Sequence, residues 1–485
     1  MGSSIDFRPV LFIIGMLLGV VAVAMLVPAL ADLADDNPDW RVFVTAAWVT
    51  LFAGVALMLT CRIEAFALNL RQAFLLTTLS WVIVAGFAAL PFRFASLNLI
   101  YADGYFEAMS GLTTTGSTVI VDLNAMPPGI LLWRGLLQWM GGVGIIAMAV
   151  AILPMLRVGG MQLFRLESSD KSEKVMPRAP QIAAGIGIAY LVLSLLCAFF
   201  YWLGGMTGFE AAIHAMTTLS TGGYSTSDES FAHFDNAFID VVGIVFMGFG
   251  GMTFTLFLRA AQGNWRSLLL DTQTRWYLGV FCAFTLAIAL WHWRMNGVDP
   301  LQALRHSAFN VMSIMTTTGY ASSDYNGWGP FPAVLFFVLT FIGGCSGSTA
   351  GGIKIFRFQI LFELARSHVR HTLLPSGIFV PKFNRKHITE AVTQSVLAFV
   401  FLYILTWAAL SACLGLTGLD LVTCVTGAAT ALGNVGPGLG DIIGPAGNFS
   451  TLPEAAKWLL SLGMLLGRLE LLTVMVLFSR GFWRT

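Results

Sequence analysis

Four short motifs carry backbone and side-chain oxygens directly ahead of a glycine. They are Thr113-Thr114-Thr115-Gly116, Ser220-Thr221-Gly222-Gly223, Thr316-Thr317-Thr318-Gly319 and Gly433-Asn434-Val435-Gly436. The final glycines recur about every hundred residues, which marks an internal repeat. Upstream, Phe106-Glu107-Ala108-Met109-Ser110 and Phe309-Asn310-Val311-Met312-Ser313 keep one offset from their glycines. Extended backbone at such a motif can offer carbonyl oxygens in place of the water around a monovalent cation. A hard, all-oxygen donor set suits an alkali cation and not a transition metal. The expected ligand residues are Thr114, Thr115 and Gly116; Thr221, Gly222 and Gly223; Thr317, Thr318 and Gly319; and Asn434, Val435 and Gly436. Threonine hydroxyls would add further oxygens. Glycine permits backbone angles that other residues resist and leaves the axis open.

A second run has a different chemistry. Gly343, Gly344, Ser346, Gly347, Ser348, Gly351 and Gly352 belong to a stretch of small and hydroxyl residues that ends at Lys354. Such a stretch is a poor continuous helix, so an unwound loop is expected there. Arg468 lies about twelve residues into another apolar stretch, near mid-depth. A cation at that depth is costly and usually functional. Gly343–Gly352, Lys354 and Arg468 therefore form a second candidate functional site. The bland alternative for Arg468 is a structural pair with Glu470.

These motifs must be positioned by membrane helices. The chain has 485 residues, of which 56% are hydrophobic and only 11% charged; its mean hydropathy is +0.77. That is less than half the charge of a soluble domain, which excludes a soluble enzyme, a disordered chain and a nucleic-acid binder. The net charge of +1 says nothing about partners. The six cysteines form no close pair, so neither a zinc site nor a disulfide framework is expected. The first apolar stretch is longer than a signal-peptide core and reads as a retained helix, with cleavage at the Ala29-Leu30-Ala31 triplet as the alternative.

Ten stretches approach the roughly 20 residues needed to span hydrocarbon: 10–31, 43–61, 73–91, 130–156, 182–203, 236–258, 276–293, 331–353, 391–412 and 456–479. Four shorter ones, near 105–115, 209–222, 303–318 and 420–433, each lie between two spans and end at a glycine motif. The expected fold is an all-α polytopic membrane protein. It has four pseudo-symmetric span–pore helix–span repeats around one pore, plus an N-terminal helix pair. The divisions are 1–66 for the pair, then 67–165, 178–265, 272–375 and 386–485 for the repeats. Basic residues crowd alternate connections: Arg157, Arg165, Lys171, Lys174 and Arg178; Arg259, Arg266 and Arg275; Arg357, Arg366, Arg370, Lys382, Arg385 and Lys386; and Arg480 and Arg484. By the positive-inside rule both termini are cytoplasmic. A short helix aimed at the axis turns its negative dipole end toward a cation.

With these residues in view, the chain resembles the Trk/Ktr/HKT superfamily of cation-uptake proteins. The four glycine motifs and the run from Gly343 to Lys354 carry that resemblance. Asn434-Val435-Gly436-Pro437-Gly438-Leu439-Gly440 and Gly467-Arg468-Leu469-Glu470, with the extra helix pair, resemble its bacterial TrkH branch. The resemblance implies potassium uptake across the bacterial inner membrane, a homodimer with one pore per subunit, and a cytosolic TrkA-type nucleotide-binding ring as gating partner. It implies no covalently bound cofactor; potassium is the substrate ion, and nucleotide binds only the partner. It also places the Gly343–Gly352 loop, Lys354 and Arg468 at the pore below the filter, as a gate or an electrostatic barrier. Sodium-permeable plant relatives can carry serine at the first filter glycine; here that position is Gly116, which favours potassium. The coupling ion, whether sodium, proton or none, is left open.

Two other readings compete. Gly344-Cys345-Ser346-Gly347 fits the GxSG of intramembrane serine proteases, but His368, His371 and His387 all lie in the basic stretch and the last two spans hold no later histidine. An alternating-access secondary transporter would share the Gly-rich broken helices; four like repeats favour a common axial pore.

Overall fold

The computed structural model describes residues 5–62, 68–151, 179–384 and 386–484. The basic cluster from Arg157 to Arg178, and Arg385, lie outside those residues. The described chain is helical apart from two-residue strands β1 (Lys382–Phe383) and β2 (Lys386–His387), which pair antiparallel.

The N-terminal pair consists of α1 (Arg8–Ala24) continuing into α2 (Leu26–Ala34), and α3 (Trp40–Thr60). Gly15 and Gly54 let α1 and α3 cross closely. A Cβ on either would sit 2.7 Å from the other's carbonyl oxygen, the close small-residue packing that membrane helices use in place of hydrophobic drive. Two acids fasten the pair to the first repeat. Asp32 at the end of α2 accepts from the Gly129 N–H, and Asp39 accepts from the Ser96 N–H and hydroxyl.

Then one order recurs four times: a long helix, a short helix ending at a glycine motif, and a further helical stretch that is bent or unwound in the last three sets. First come α4 (Leu70–Ala88) with the one-turn α5 (Leu90–Phe94), short α6 (Tyr101–Leu112), and α7 (Pro128–Ala151). Second are α8 (Ala179–Leu203), short α9 (Gly208–Leu219), and α10 (Ala237–Gly250) with α11 (Phe254–Ala261). After the one-turn α12 (Ser267–Leu270), the third set is α13 (Thr272–Asn296), short α14 (Pro300–Met315), α15 (Pro330–Thr340) and α16 (Ile355–Leu373). The fourth is α17 (Glu390–Gly415), short α18 (Leu421–Gly433), and α19 (Glu454–Arg468) with α20 (Leu472–Met475), before the terminal turn α21 (Arg480–Arg484).

The short helices begin at encoded caps. Thr207 and Glu210 form a capping box on α9, Asp299 caps α14 ahead of Pro300, and Asp420 accepts from Thr423 N–H on α18. Among the described residues three of the ten expected stretches are not single straight helices. Among the described residues seven helices are long and apolar enough to cross a membrane, or nine when each bent pair counts as one span. Stretch 236–258 bends by 97° between α10 and α11, and stretch 456–479 bends by 105° between α19 and α20. Stretch 331–353 holds only the eleven-residue α15 before its backbone unwinds. Residue pattern alone places a break in the third set and nowhere else. The bend after α10 falls where the loop of the third set takes up the carbonyls it frees, and the bend after α19 falls where Glu470 pairs with Arg357.

Candidate functional site

The four short helices terminate in one way. Each ends with an N–H bonded to the carbonyl five residues back: Thr115 to Ser110 (2.8 Å), Gly222 to Thr217 (2.8 Å), Thr318 to Ser313 (2.8 Å) and Val435 to Thr430 (3.0 Å). The residue before each of these is left-handed, with φ of 51° at Thr114, 52° at Thr221, 59° at Thr317 and 54° at Asn434. This is a Schellman ending, which usually recruits glycine. Threonine there is β-branched and disfavoured, so strain is held at three of four equivalent positions by the surrounding structure. Two residues on, the glycines are positive again: φ is 88° at Gly116, 80° at Gly223, 84° at Gly319 and 107° at Gly436.

The four endings close into a ring. A Cβ on Gly116 would fall on the carbonyl oxygen of Gly222, one on Gly223 on that of Thr318, and one on Gly319 on that of Val435. A Cβ on Gly436 would lie 2.8 Å from the oxygen of Thr115, completing the circuit. Each glycine thus faces the carbonyl one residue before the glycine of the next repeat. No side chain fits at any of the four, because each would strike backbone.

The threonine hydroxyls are mostly used within the protein. Thr113 pairs with Thr115 (2.8 Å) and Thr316 with Thr318 (2.7 Å). Thr317 accepts from Gly351 N–H (2.6 Å), and Thr221 donates to Thr349 (3.2 Å). Backbone carbonyls are therefore the oxygen set that the ring presents. A cavity of about 100 Å³ adjoins it, lined by all four glycines together with Ser117 and Tyr224.

Behind the ring lies a polar brace that the sequence analysis did not single out. Glu107, fully buried, pairs with Arg134 (2.8 Å) and accepts from Val119 N–H (2.9 Å). Arg134 also donates to the Ser225 carbonyl (2.8 Å) and packs over the Tyr224 ring. His214 bonds Ser225 Oγ (3.0 Å), and Asn310 Oδ1 accepts from Ser322 N–H (3.2 Å). Glu107, His214 and Asn310 all stand nine residues before their glycines. That common offset was the available signal. Each polar side chain reaches forward to hold the strand its own helix has released.

The Gly343–Gly352 run is unwound as expected and lies against the ring's short helices. Its N–H groups find carbonyls freed by the bend after α10: Cys345 to Gly251 (2.8 Å) and Thr349 to Gly250 (3.1 Å). Gly352 N–H bonds Gly433 at the end of α18 (2.8 Å). At the loop's neck Gly343 N–H donates to the Ile353 carbonyl (2.9 Å), and Ile342 bridges to Ile353. Three short helices therefore hold the loop: α9 through Thr221, α14 through Thr317 and α18 through Gly433. Gly344 packs on the Gly251 carbonyl, and Ser348 Oγ donates to Cys345 O (2.6 Å). Gly347 takes φ of 73°.

Two buried cations meet the loop's apex. Arg468 Nη1 donates to the Thr349 carbonyl (2.8 Å), and Lys354 Nζ donates to the next carbonyl, Ala350. Glu470 is not the partner of Arg468; it pairs with Arg357, at the start of α16. Ser346 makes no catalytic arrangement with the later histidines. Its N–H donates to Gln273 and its carbonyl accepts from Thr253, whereas His368, His371 and His387 lie outside this loop, on α16 and β2. The cavity bordered by Ser346, Gly347, Lys354, Arg468 and Glu470 measures about 20 Å³, room for a single water.

The family model for TrkH, described as a cation transport protein, matches residues 40–483. The chain belongs to the TrkH family. Its relatives include the Trk system potassium uptake protein TrkI of Halomonas elongata, 46% identical over 99% of this chain and 97% of that protein. The Trk system potassium uptake protein TrkH of Escherichia coli K12 is 35% identical over 99% of both chains. The crystal structure of the potassium transporter TrkH from Vibrio parahaemolyticus superposes with a TM-score of 0.92. It is 34% identical, covering 99% of this chain and 100% of that one. This TrkH-family chain is thus an all-α polytopic membrane protein of a transport family, not an enzyme.

Proposed function

We propose that the chain carries potassium ions across the bacterial inner membrane through the four-glycine ring. The observation that carries this reading is the closed circuit of ring contacts, Gly116 to Gly222, Gly223 to Thr318, Gly319 to Val435 and Gly436 to Thr115. Positive φ at alternate residues turns successive carbonyls toward one axis, and carbonyl oxygens replace the hydration shell of a dehydrated cation. Membership in the family and the potassium-uptake names of its relatives support the same ion.

In this reading Gly343–Gly352 is the gate, held across the path by Arg468 and Lys354. Both cations also oppose a permeating cation by charge. Opening requires these bonds to exchange as α16, which starts immediately after Lys354, is pulled. A cytosolic nucleotide-binding ring of the TrkA type acts on that helix, and two copies of the chain assemble as a homodimer with both termini cytoplasmic. The test is cation flux into proteoliposomes, with and without the nucleotide-binding partner. Potassium flux well above sodium flux, with channel-like unitary currents, supports the reading. Equal flux of both ions, or strictly carrier-like kinetics, would count against it.

A further inference from the structure

The second repeat departs from the others at one place in the ring. Repeats one, three and four carry a β-branched residue just before the filter glycine: Thr115, Thr318 and Val435. Repeat two carries Gly222. A Cβ at Gly222 would strike the carboxamide of Gln138, a fully buried side chain from α7 of the first repeat. Gln138 Nε2 donates to the Gly222 carbonyl (2.6 Å), and its Oε1 accepts from Tyr224 N–H (3.1 Å). The amide orientation is fixed by its partners, since a carbonyl only accepts and an N–H only donates. Gln138 therefore brackets Gly223 from both sides.

The Gly222 carbonyl holds the ring place that Thr115, Thr318 and Val435 carbonyls hold elsewhere. In repeats one and three the hydroxyl pairs Thr113–Thr115 and Thr316–Thr318 stiffen the strand from within. Gly222 cannot make such a pair with Ser220.

We propose that Gln138 is a specificity-determining positioning residue, supplied by the first repeat to replace the side chain that the second repeat lacks. This rests on the filter reading above and goes beyond it. The bond does two things. It fixes the direction of a carbonyl whose own residue is the most permissive of all. It also occupies one lone pair of that oxygen, which makes it a weaker-field ligand. Weak-field oxygens favour the larger, more easily dehydrated potassium over sodium, where field strength decides selectivity. The ring then holds one oxygen tethered by a neighbouring repeat's side chain, and its preference depends on that asymmetry.

The test measures potassium-to-sodium permeability ratios from reversal potentials of the full-length protein in bilayers. Monodispersity and thermal melting are followed in parallel. Gln138→Met keeps the volume without the donor and should lower the ratio about fivefold, the scale of one net hydrogen bond. Gln138→Glu keeps the shape and donates only when protonated. Its ratio should approach the parent's on the acid side and fall as pH rises, while the parent stays flat across the same range. A merely structural glutamine would give no such pH profile. The exchange Gln138→Ala with Gly222→Thr rebuilds the strand of repeats one and three, and should hold a higher ratio than either single change.

Parent-like ratios in Gln138→Met and in Gln138→Glu at every pH, with Gly223→Ser still lowering the ratio, overturn this proposal and leave the filter standing. A Gly223→Ser protein with parent ratio overturns the filter reading and this inference with it. Should Gln138→Met fail to fold, the pH profile of Gln138→Glu and the double exchange decide.

Discussion

Arg468 donates to the carbonyl of Thr349 across 2.8 Å, while Lys354 donates to the very next carbonyl, Ala350. One cation ends α19 in the fourth repeat and the other caps α16 in the third. Two elements far apart in the chain therefore grip adjacent peptides at the loop's tip.

Replacing Arg468 with alanine is expected to free Thr349 and remove a buried positive charge from the path. Basal potassium flux into proteoliposomes without a partner should rise several-fold, and deleting part of Gly343–Gly352 should do the same. A folded deletion protein as closed as the parent would sink the gate assignment. An Arg468→Ala protein that will not fold points to a role in holding the fourth repeat.

The four ring glycines offer the sharpest substitution. Serine at Gly319 meets the Val435 carbonyl and a φ of 84°, so it must displace that oxygen. Gly319→Ser is expected to cost at least tenfold in the potassium-to-sodium uptake ratio, a change of about 1.4 kcal/mol in relative ion free energy. Isotope or ion-selective uptake in cells lacking other potassium uptake measures it. An unchanged ratio after serine substitution at all four glycines would refute the ring as a filter.

Arg357 and Glu470 form a buried ion pair between α16 and the bend after α19, and Arg357 also lies over the Phe399 ring. Removing one partner strands a charge, which costs about 3–5 kcal/mol, whereas replacing both with apolar groups can be nearly neutral. Glu470→Leu should therefore lower the melting temperature in detergent markedly. Arg357→Met with Glu470→Leu should recover most of the loss. Equal melting of all three proteins would show that the pair contributes nothing to the fold.

Arg366 and Arg370 lie on the later part of α16, beyond the Gly343–Gly352 loop, where their side chains are exposed. Reversing both charges is expected to weaken binding of a cytosolic partner and blunt its nucleotide response, leaving melting unchanged. Pull-down and nucleotide-dependent flux read the two effects. Full response in the reversed protein would leave only the positive-inside signal.

Asp420 caps α18 outside the membrane span, and its bonds from Thr423 hold its carboxyl below the ordinary carboxylate value. A lowered folded value means that its stabilisation is present above the unfolded value and is lost as pH falls through the folded one. Asp420→Ala should cost about 1 kcal/mol at neutral pH. Asp420→Asn should keep most of the cap and lose the acid-side dependence, as melting against pH will show.

The sequence by itself determined the membrane class, the four short helices and the order of elements, because these arise from local hydropathy, caps and glycine placement. Apolar length marks a span, Asp420 and the Thr207–Glu210 box mark helix starts, and the repeated glycines mark four equivalent ends. It also exposed the weak helix between Gly343 and Gly352. Only the tertiary structure decided which carbonyl each glycine faces, since three of those contacts join residues about one hundred positions apart and the fourth, Gly436 to Thr115, joins opposite ends of the repeat series. It alone showed that Glu470 takes Arg357 and leaves Arg468 to the loop. The bend after α10 falls at Gly250-Gly251, a pair that permits a bend without requiring one, whereas the bend after α19 was hidden, for Leu469-Glu470-Leu471 contains no helix breaker. The first of those helices breaks where the loop supplies hydrogen-bond partners for the carbonyls that bending releases, and the second where Glu470 turns to Arg357. Both exchanges exist only once the four repeats have closed around the loop.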